Sequence, residues 1–318
     1  MKLLLLLFAT LATIPIVQEQ ASLSTTQFKV LRGLRGFVTS LSFSPDGHLL
    51  AGAGQDGTVR LWETSGWNAR LLLSQPQTGI AGITFSPTGN CMVAGVVGTL
   101  FRWEAPDWRE SQVGNGPVSD ITAIAFSREG RNLALGRSDG RLTFYETDGW
   151  LTTQSFSAGD PSVAGLVFMP DGRRVLVAGE NGTVRLTDWR VPREIRSWVH
   201  RGGIGCLAVS RTGATVVTGG LDGLGRVWDT ETGRYRQSLP GHAESIPAAA
   251  FSPDNRILAL GSGDGTLSLW STADWKRLRT ITGLDAVTAL AWSPDSATLA
   301  TAGWDKTVRI WRVEPKTP

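Results

Sequence analysis

Twenty residues, FSPDGHLLAGAGQDGTVRLW at positions 43–62, return through the chain with the same internal spacing. Self-similarity at a fixed period constrains a fold more tightly than composition does. Segments aligned with FSPDG begin at Phe43, Phe85, Phe126, Phe168, Val209, Phe251 and Trp292, at spacings of 42, 41, 42, 41, 42 and 41 residues. The position that ends the third strand of each unit falls at Trp62, Trp103, Tyr145, Thr187, Trp228, Trp270 and Trp311. Seven units at about 32–73, 74–115, 116–156, 157–198, 199–240, 241–281 and 282–313 leave no room within the 318 residues for a second domain.

Each unit reads as four strands. In VTSLSFS (38–44) apolar and small polar residues alternate, as in a strand with two unlike faces. Ser44-Pro45-Asp46-Gly47 has Pro second and Gly fourth, the preference of a type I turn. HLLAGAG (48–54) is a second strand, Gln55-Asp56-Gly57 a tight hairpin turn, TVRLW (58–62) a third, and Ala69 to Ser74 a fourth. One four-stranded sheet of this size cannot bury both its faces. Stacked on copies of itself it can, and a ring of seven leaves no end sheet uncovered.

These residues resemble the WD-repeat β-propellers: the Ser-Pro-Asp-Gly turns, the Asp-Gly turns and the terminal Trp of the third strand recur in one register over about residues 25–313. The resemblance implies an all-β, seven-bladed propeller of four-stranded antiparallel blades. It also implies a hydrogen-bonded tetrad of a His in the loop leading into the blade, a Ser or Thr on the second strand, the turn Asp and the third-strand Trp. The turn Asp is present as Asp56, Asp139, Asp222, Asp264 and Asp305, becomes Asn181 in the fourth unit and is lost to Val97 in the second. The Trp is present as Trp62, Trp103, Trp228, Trp270 and Trp311, and a Gly-His pair occurs only at Gly241-His242, where Leu260 stands for the hydroxyl. Units five and seven carry Thr218 and Thr301 but are read as having no His for the tetrad, so no complete tetrad is expected. Packing and turns are then expected to hold the blades, because a half-satisfied buried network costs more than an apolar substitute.

The seventh unit stops soon after Trp311, while TQFKVL (26–31) precedes the first unit at the place of a fourth strand. The family's closure implies that this N-terminal strand, within 25–31, completes the last blade; the alternative is a leader without structure. Before it, Lys2 and a largely apolar stretch from Leu3 to Val17 fit residues 1–22 to a secretory signal, and its 15 residues fall short of the roughly 20 that span a bilayer. A short uncleaved anchor and an over-extended start are the alternatives.

Composition excludes little. The formal charge of +3 comes from 26 arginines and 5 lysines against 28 acids. The basic residues are spread evenly, which argues against nucleic acid as a partner. Cys91 and Cys206 lie in strand-like segments of different units and are expected as buried free thiols. His48, His200 and His242 share no metal-ligand spacing, so no metal, cofactor or catalytic residue is assigned, and His242 reads as the structural histidine of the resemblance. Glycine runs such as AGAGQDG lead into strands and not helices, unlike a phosphate-binding loop.

Trp67, Trp108, Trp150 and Trp275 each lie five residues beyond the third-strand position, either as a lock on the following hairpin or as a contact belt on one rim. Arg60, Arg185, Arg226 and Arg309 alternate with the apolar face of the third strands and read as solvated or inter-blade residues. Trp304 precedes the turn Asp of unit seven, where the family's ligand-bearing surface lies near the channel mouth. Ring closure would bring Phe37 and Arg35 beside it, and these residue types are enriched where partners bind tightly. The expectation is a monomeric, non-catalytic platform for a protein or peptide partner outside the cytoplasm, whether periplasmic, cell-surface or secreted. A propeller enzyme of lyase, lactonase or dehydrogenase type with its site at the channel mouth, and a cytosolic scaffold, are the alternatives.

Overall fold

A computed structural model describes residues 23–74 and 79–315. Blade 1 is the simplest statement of the unit, with antiparallel strands Val38–Phe43, Leu49–Gly54, Thr58–Glu63 and Ala69–Ser74 in sequential order. The Ser44 turn closes by a bond from Gly47 N to Ser44 O of 2.9 Å, with Gly47 at φ 75°. The first strand of each blade lies innermost: Val38–Phe43 has Gly82–Phe85 on one side and Val287–Trp292 on the other, and the same adjacency runs round all seven blades.

The ring is shut by the N-terminal strand. Leu23–Leu31 pairs antiparallel with Val308–Pro315 as the outermost strand of blade 7, in the register Leu23↔Pro315 to Leu31↔Val308, with a bulge between Gln27 and Lys29. Leu23 and Leu31 are buried, which supplies the apolar reason for the strand to dock. It begins a few residues earlier than TQFKVL alone suggests.

Blades are held to one another by the third-strand aromatics. Trp62 packs among Leu41 and Leu50 of its own blade and Ala300 and Ile310 of blade 7. Gly52 makes that possible, because a Cβ there would stand 2.8 Å from the Trp62 ring. In blade 4 Thr187 cannot fill the gap, and Trp189, two residues on, does so instead. Its ring stacks 4.8 Å from Phe144 and its Nε1 donates to Gly172 O at 3.0 Å.

Blade 2 departs most from the pattern. Without an Asp-Gly turn, its second and third strands form one element, Cys91–Glu104, and its fourth runs on as Arg109–Phe126 into the first strand of blade 3. Blades 2 and 3 therefore share one continuously bonded sheet. The Trp103 indole N–H, buried there, has no hydrogen-bond partner among the described residues.

The expectation of no complete tetrad is corrected in blade 5. His200 lies in the loop before Ile204–Val209, fully buried, and its Nδ1 is 2.6 Å from Thr218 Oγ1, which also accepts Trp228 Nε1–H at 2.8 Å. Asp222 completes the set through Arg226, which donates to Asp222 Oδ2 at 2.6 Å and contacts His200 Nε2. The Gly-His signature missed it because Val199 precedes this histidine. Blade 6 finds another solution: His242 Nε2 and Trp270 Nε1 both bond Ser268 Oγ, at 2.7 and 2.8 Å, so a third-strand hydroxyl replaces the one Leu260 lacks.

The third-strand arginines also need correcting. They are neither merely solvated nor inter-blade, but clamp the loop leading into their own blade or its turn. Arg60 Nε donates to Gly33 O at 2.7 Å, Arg185 Nε to Asp160 at 3.0 Å, and Arg309 to Asp305. A charged head bonded to a turn while its stem covers apolar sheet is the usual behaviour of half-buried arginine.

The His200 cluster gives the blade a pH dependence. Burial first, then the Arg226 charge, outweigh Asp222 and push the imidazole down from 6.5 to about 4. The folded state thus holds His200 neutral where the unfolded chain would protonate it. Stability from this group is complete above pH 6.5, is lost as pH falls towards 4 and is constant below, for a total of about 3 kcal/mol. Denaturant unfolding at pH 7.5, 5.5 and 4 should show this slope in the wild type and a shallower one in His200→Asn; equal slopes would remove the assignment.

Candidate functional site

The hairpin turns between second and third strands define the rim opposite the Ser-Pro-Asp-Gly turns. Their aspartates anchor that rim. Asp56 Oδ2 accepts Arg35 N at 2.8 Å and Oδ1 accepts Thr58 N at 3.1 Å. Asp264 Oδ2 accepts Ala243 N at 2.7 Å, Asp139 Oδ1 accepts Arg141 N at 3.0 Å, and Asp305 Oδ1 accepts Thr307 N at 3.0 Å. Burial alone would raise the Asp56 carboxyl, but the Thr58 hydroxyl and the backbone N–H groups of Arg35, Thr58 and Gly36 outweigh it and hold the group below its usual range. The carboxylates of Asp56, Asp264 and Asp305, all held below the usual range, are therefore charged staples for the loops, not free acids.

On that rim the structure brings two of the three expected contact residues together. Trp304 is 60% exposed, and its ring centroid lies 6.2 Å from that of half-buried Phe37, with the planes tilted by 40°. The two residues come from opposite ends of the chain, blade 7 and blade 1. Trp304 N donates to Ala286 O at 3.1 Å, and Phe37 O accepts Gln55 N at 2.9 Å, so both backbones are pinned by neighbouring turns. Arg35 is exposed one turn away, held by its backbone to Asp56, and its side chain forms no ion pair among the described residues.

Leu221 was not singled out from the sequence, yet it is 56% exposed at the blade 5 position that Trp304 occupies in blade 7. Its repeat register was the available signal. The fourth-strand turn tryptophans behave differently. Trp67, Trp108, Trp150 and Trp275 take left-handed φ values of 53 to 59°, a conformation uncommon for a bulky residue and here set by the turn into the fourth strand. Trp108 lies edge-on to Phe85 at 5.6 Å and Trp275 to Phe251 at 6.4 Å, each within its own blade. Packing against the blade thus accounts for them as hairpin locks.

Cys91 and Cys206 are buried free thiols, and burial pushes the Cys206 thiol up to about 12. Asn181 lies in a tight turn, its Oδ1 accepting Thr183 N at 2.9 Å. Among the described residues, no group of three or more His, Cys, Asp or Glu could hold a metal ion, and no helix is long and apolar enough to cross a membrane. The apolar stretch 3–17 lies outside the described residues.

Comparison with known proteins agrees with this architecture. The chain is 29% identical over 156 residues to the periodic tryptophan protein 2 homolog of Dictyostelium discoideum, covering 48% of this chain and 17% of that one. It is 32% identical over 141 residues to telomerase protein component 1 of Rattus norvegicus, covering 43% and 5% respectively. It is 32% identical over 111 residues to the serine-threonine kinase receptor-associated protein of Gallus gallus, covering 35% and 31%. The chain thus spans less than a third of the length of each of these curated relatives. The family described as "WD domain, G-beta repeat" matches residues 26–63, 150–188, 193–229, 233–271 and 275–312, leaving 64–149, which hold blade 2 and most of blade 3, unmatched. With more than half of its length matched and seven blades closed by its own N-terminal strand, the chain belongs to the WD40 family.

Proposed function

We propose that this propeller is a non-catalytic platform that binds a protein or peptide partner at the rim of blades 7 and 1, with Trp304 and Phe37 as apolar anchors and Arg35 as the charged flank. One observation carries the reading: a 60% exposed indole rests 6.2 Å from a second aromatic ring on a rim otherwise stapled by hydrogen-bonded turns. A rigid exposed aromatic loses little conformational freedom on binding and brings a large apolar area. The name of the chicken relative, a receptor-associated protein, and that of the rat relative, a component of telomerase, are in keeping with association as the activity.

Lys2 followed by the apolar stretch 3–17 supports a place outside the cytoplasm, and a ring shut on itself supports a monomer. The closing strand starts at Leu23 on the rim opposite Trp304, so a leader or tether there would leave the patch open. Mass spectrometry of the mature N-terminus tests the compartment, and a mature chain that keeps Met1 would count against a cleaved signal. For the patch, crosslinking in the native host supplies the partner. The Trp304→Ala/Phe37→Ala variant should then bind it more than about tenfold more weakly. Affinity equal to wild type would reject the patch.

A further inference from the structure

On the Ser-Pro-Asp-Gly rim, far from Trp304, a cleft of about 550 Å3 opens at the junction of blades 7 and 1. Its floor is aromatic. Phe28, the extra residue of the bulge in the closing strand, is 43% exposed, and its ring lies 6.2 Å from that of Trp67. Trp67 N donates to Glu63 O at 2.6 Å and its ring packs on the blade 1 core, so this floor is set before any ligand arrives.

The walls are acidic and come from two blades. Asp46 Oδ1 accepts the Ser44 hydroxyl at 2.5 Å and His48 N at 3.0 Å; Asp295 Oδ1 likewise accepts the Ser293 hydroxyl at 2.5 Å and Ala297 N at 3.0 Å. Each carboxylate is thereby oriented by one oxygen, while Oδ2 accepts no hydrogen bond among the described residues. The Ser44 hydroxyl, chiefly, holds the Asp46 carboxyl below its usual range, so it is charged at neutral pH.

The cleft already receives one cation of its own. Arg312, on the strand paired with the closing strand, places its guanidinium 5.5 Å from the Phe28 ring centroid. Counting histidine as neutral, His48 included, which also lines the cleft, two carboxylates against this one guanidinium leave the lining formally net negative, on a chain whose formal charge by the same count is +3. An aromatic face attracts a cation through its quadrupole, and a carboxylate on either side adds direct Coulomb attraction. A neutral polyol would stack on the same rings and donate hydroxyls to the carboxylates, but it would gain no net Coulomb attraction from them.

We propose that this cleft binds a lysine or arginine side chain of a partner polypeptide, with the alkyl stem along Trp67 and the charged head between Asp46 and Asp295. The site is independent of the Trp304 patch, and either could fail without the other.

The probe is acetyl-Gly-Arg-Gly-amide, titrated into the full chain while indole N–H signals are followed by NMR, with the isosteric citrulline peptide as neutral control. The arginine peptide should shift the Trp67 signal saturably and bind at least about fivefold more tightly than the citrulline peptide. In Asp46→Asn/Asp295→Asn, which keeps the Oδ1 acceptors and should keep Tm, that preference should vanish. Arg312→Gln should tighten binding about twofold or more, since a competing cation leaves the Phe28 face. Trp304→Ala should leave the affinity unchanged. Equal binding of the two peptides, an unchanged preference in the Asn variant, or saturable binding of maltose with no response to the arginine peptide would each overturn the proposal.

Discussion

Deletion of residues 1–33 should yield a protein that aggregates and melts at least roughly 10 °C below the full chain, whereas deletion of residues 1–22 should leave Tm unchanged. The difference lies in the closing strand. Without Leu23–Leu31, the strand Val308–Pro315 becomes an unpaired edge, and an exposed edge is a template for pairing with another chain. The apolar burial that Leu23 and Leu31 supply is removed with them, and the Arg60 guanidinium loses its acceptor at Gly33. Blade 7 and blade 1 then part along the seam that holds Trp304 beside Phe37. Light scattering and calorimetry on the two deletions read this directly. A soluble product with an unshifted transition would mean that closure does not depend on this strand.

Trp62→Ala should be the most damaging single substitution at the same seam. The side chain is 1% exposed, packs between blades 1 and 7, and lies against Gly52, so its loss opens a cavity that the sheet cannot collapse to fill. Large-to-small changes of this kind cost about 3–5 kcal/mol, or about 5–8 °C in Tm for a chain of this size. Trp304→Ala provides the contrast: an indole already 60% in water should change Tm by less than about 2 °C. Calorimetry on the two variants should separate an indole that holds blades together from one that faces outward. Similar losses in both would mean that Trp304 is structural and that its patch is no docking surface.

The blade plan was legible because it is local. A strand with unlike faces, a Pro-Gly turn and an Asp-Gly turn act within a few residues, and seven repetitions in one register leave a ring as the arrangement that covers every sheet. The Phe37 and Trp304 pairing was legible for a related reason: once the ring closes, chain ends become neighbours. The tetrads were harder to read. His200 and Ser268 enter their networks from positions where no fixed motif places them, because any side chain whose hydrogen-bonding atom reaches the same point satisfies the indole. Trp189 shows the same freedom in packing, filling from two residues downstream a space that Thr187 leaves.

By itself, then, the sequence determined the number of blades and the order of strands and turns within most of them, since each follows from short-range stereochemistry and periodic burial, while the strand that shuts the circle followed from the resemblance to the closure of WD-repeat propellers. Only the tertiary structure decided which arginines clamp which loops, how blades 2 and 3 merge through Arg109–Phe126, and where aromatic rings and carboxylates from different blades meet at the Phe28 cleft. Those contacts join residues up to the whole chain apart, and their geometry is set by how neighbouring sheets twist and pack against each other, a quantity that no local run of residues encodes.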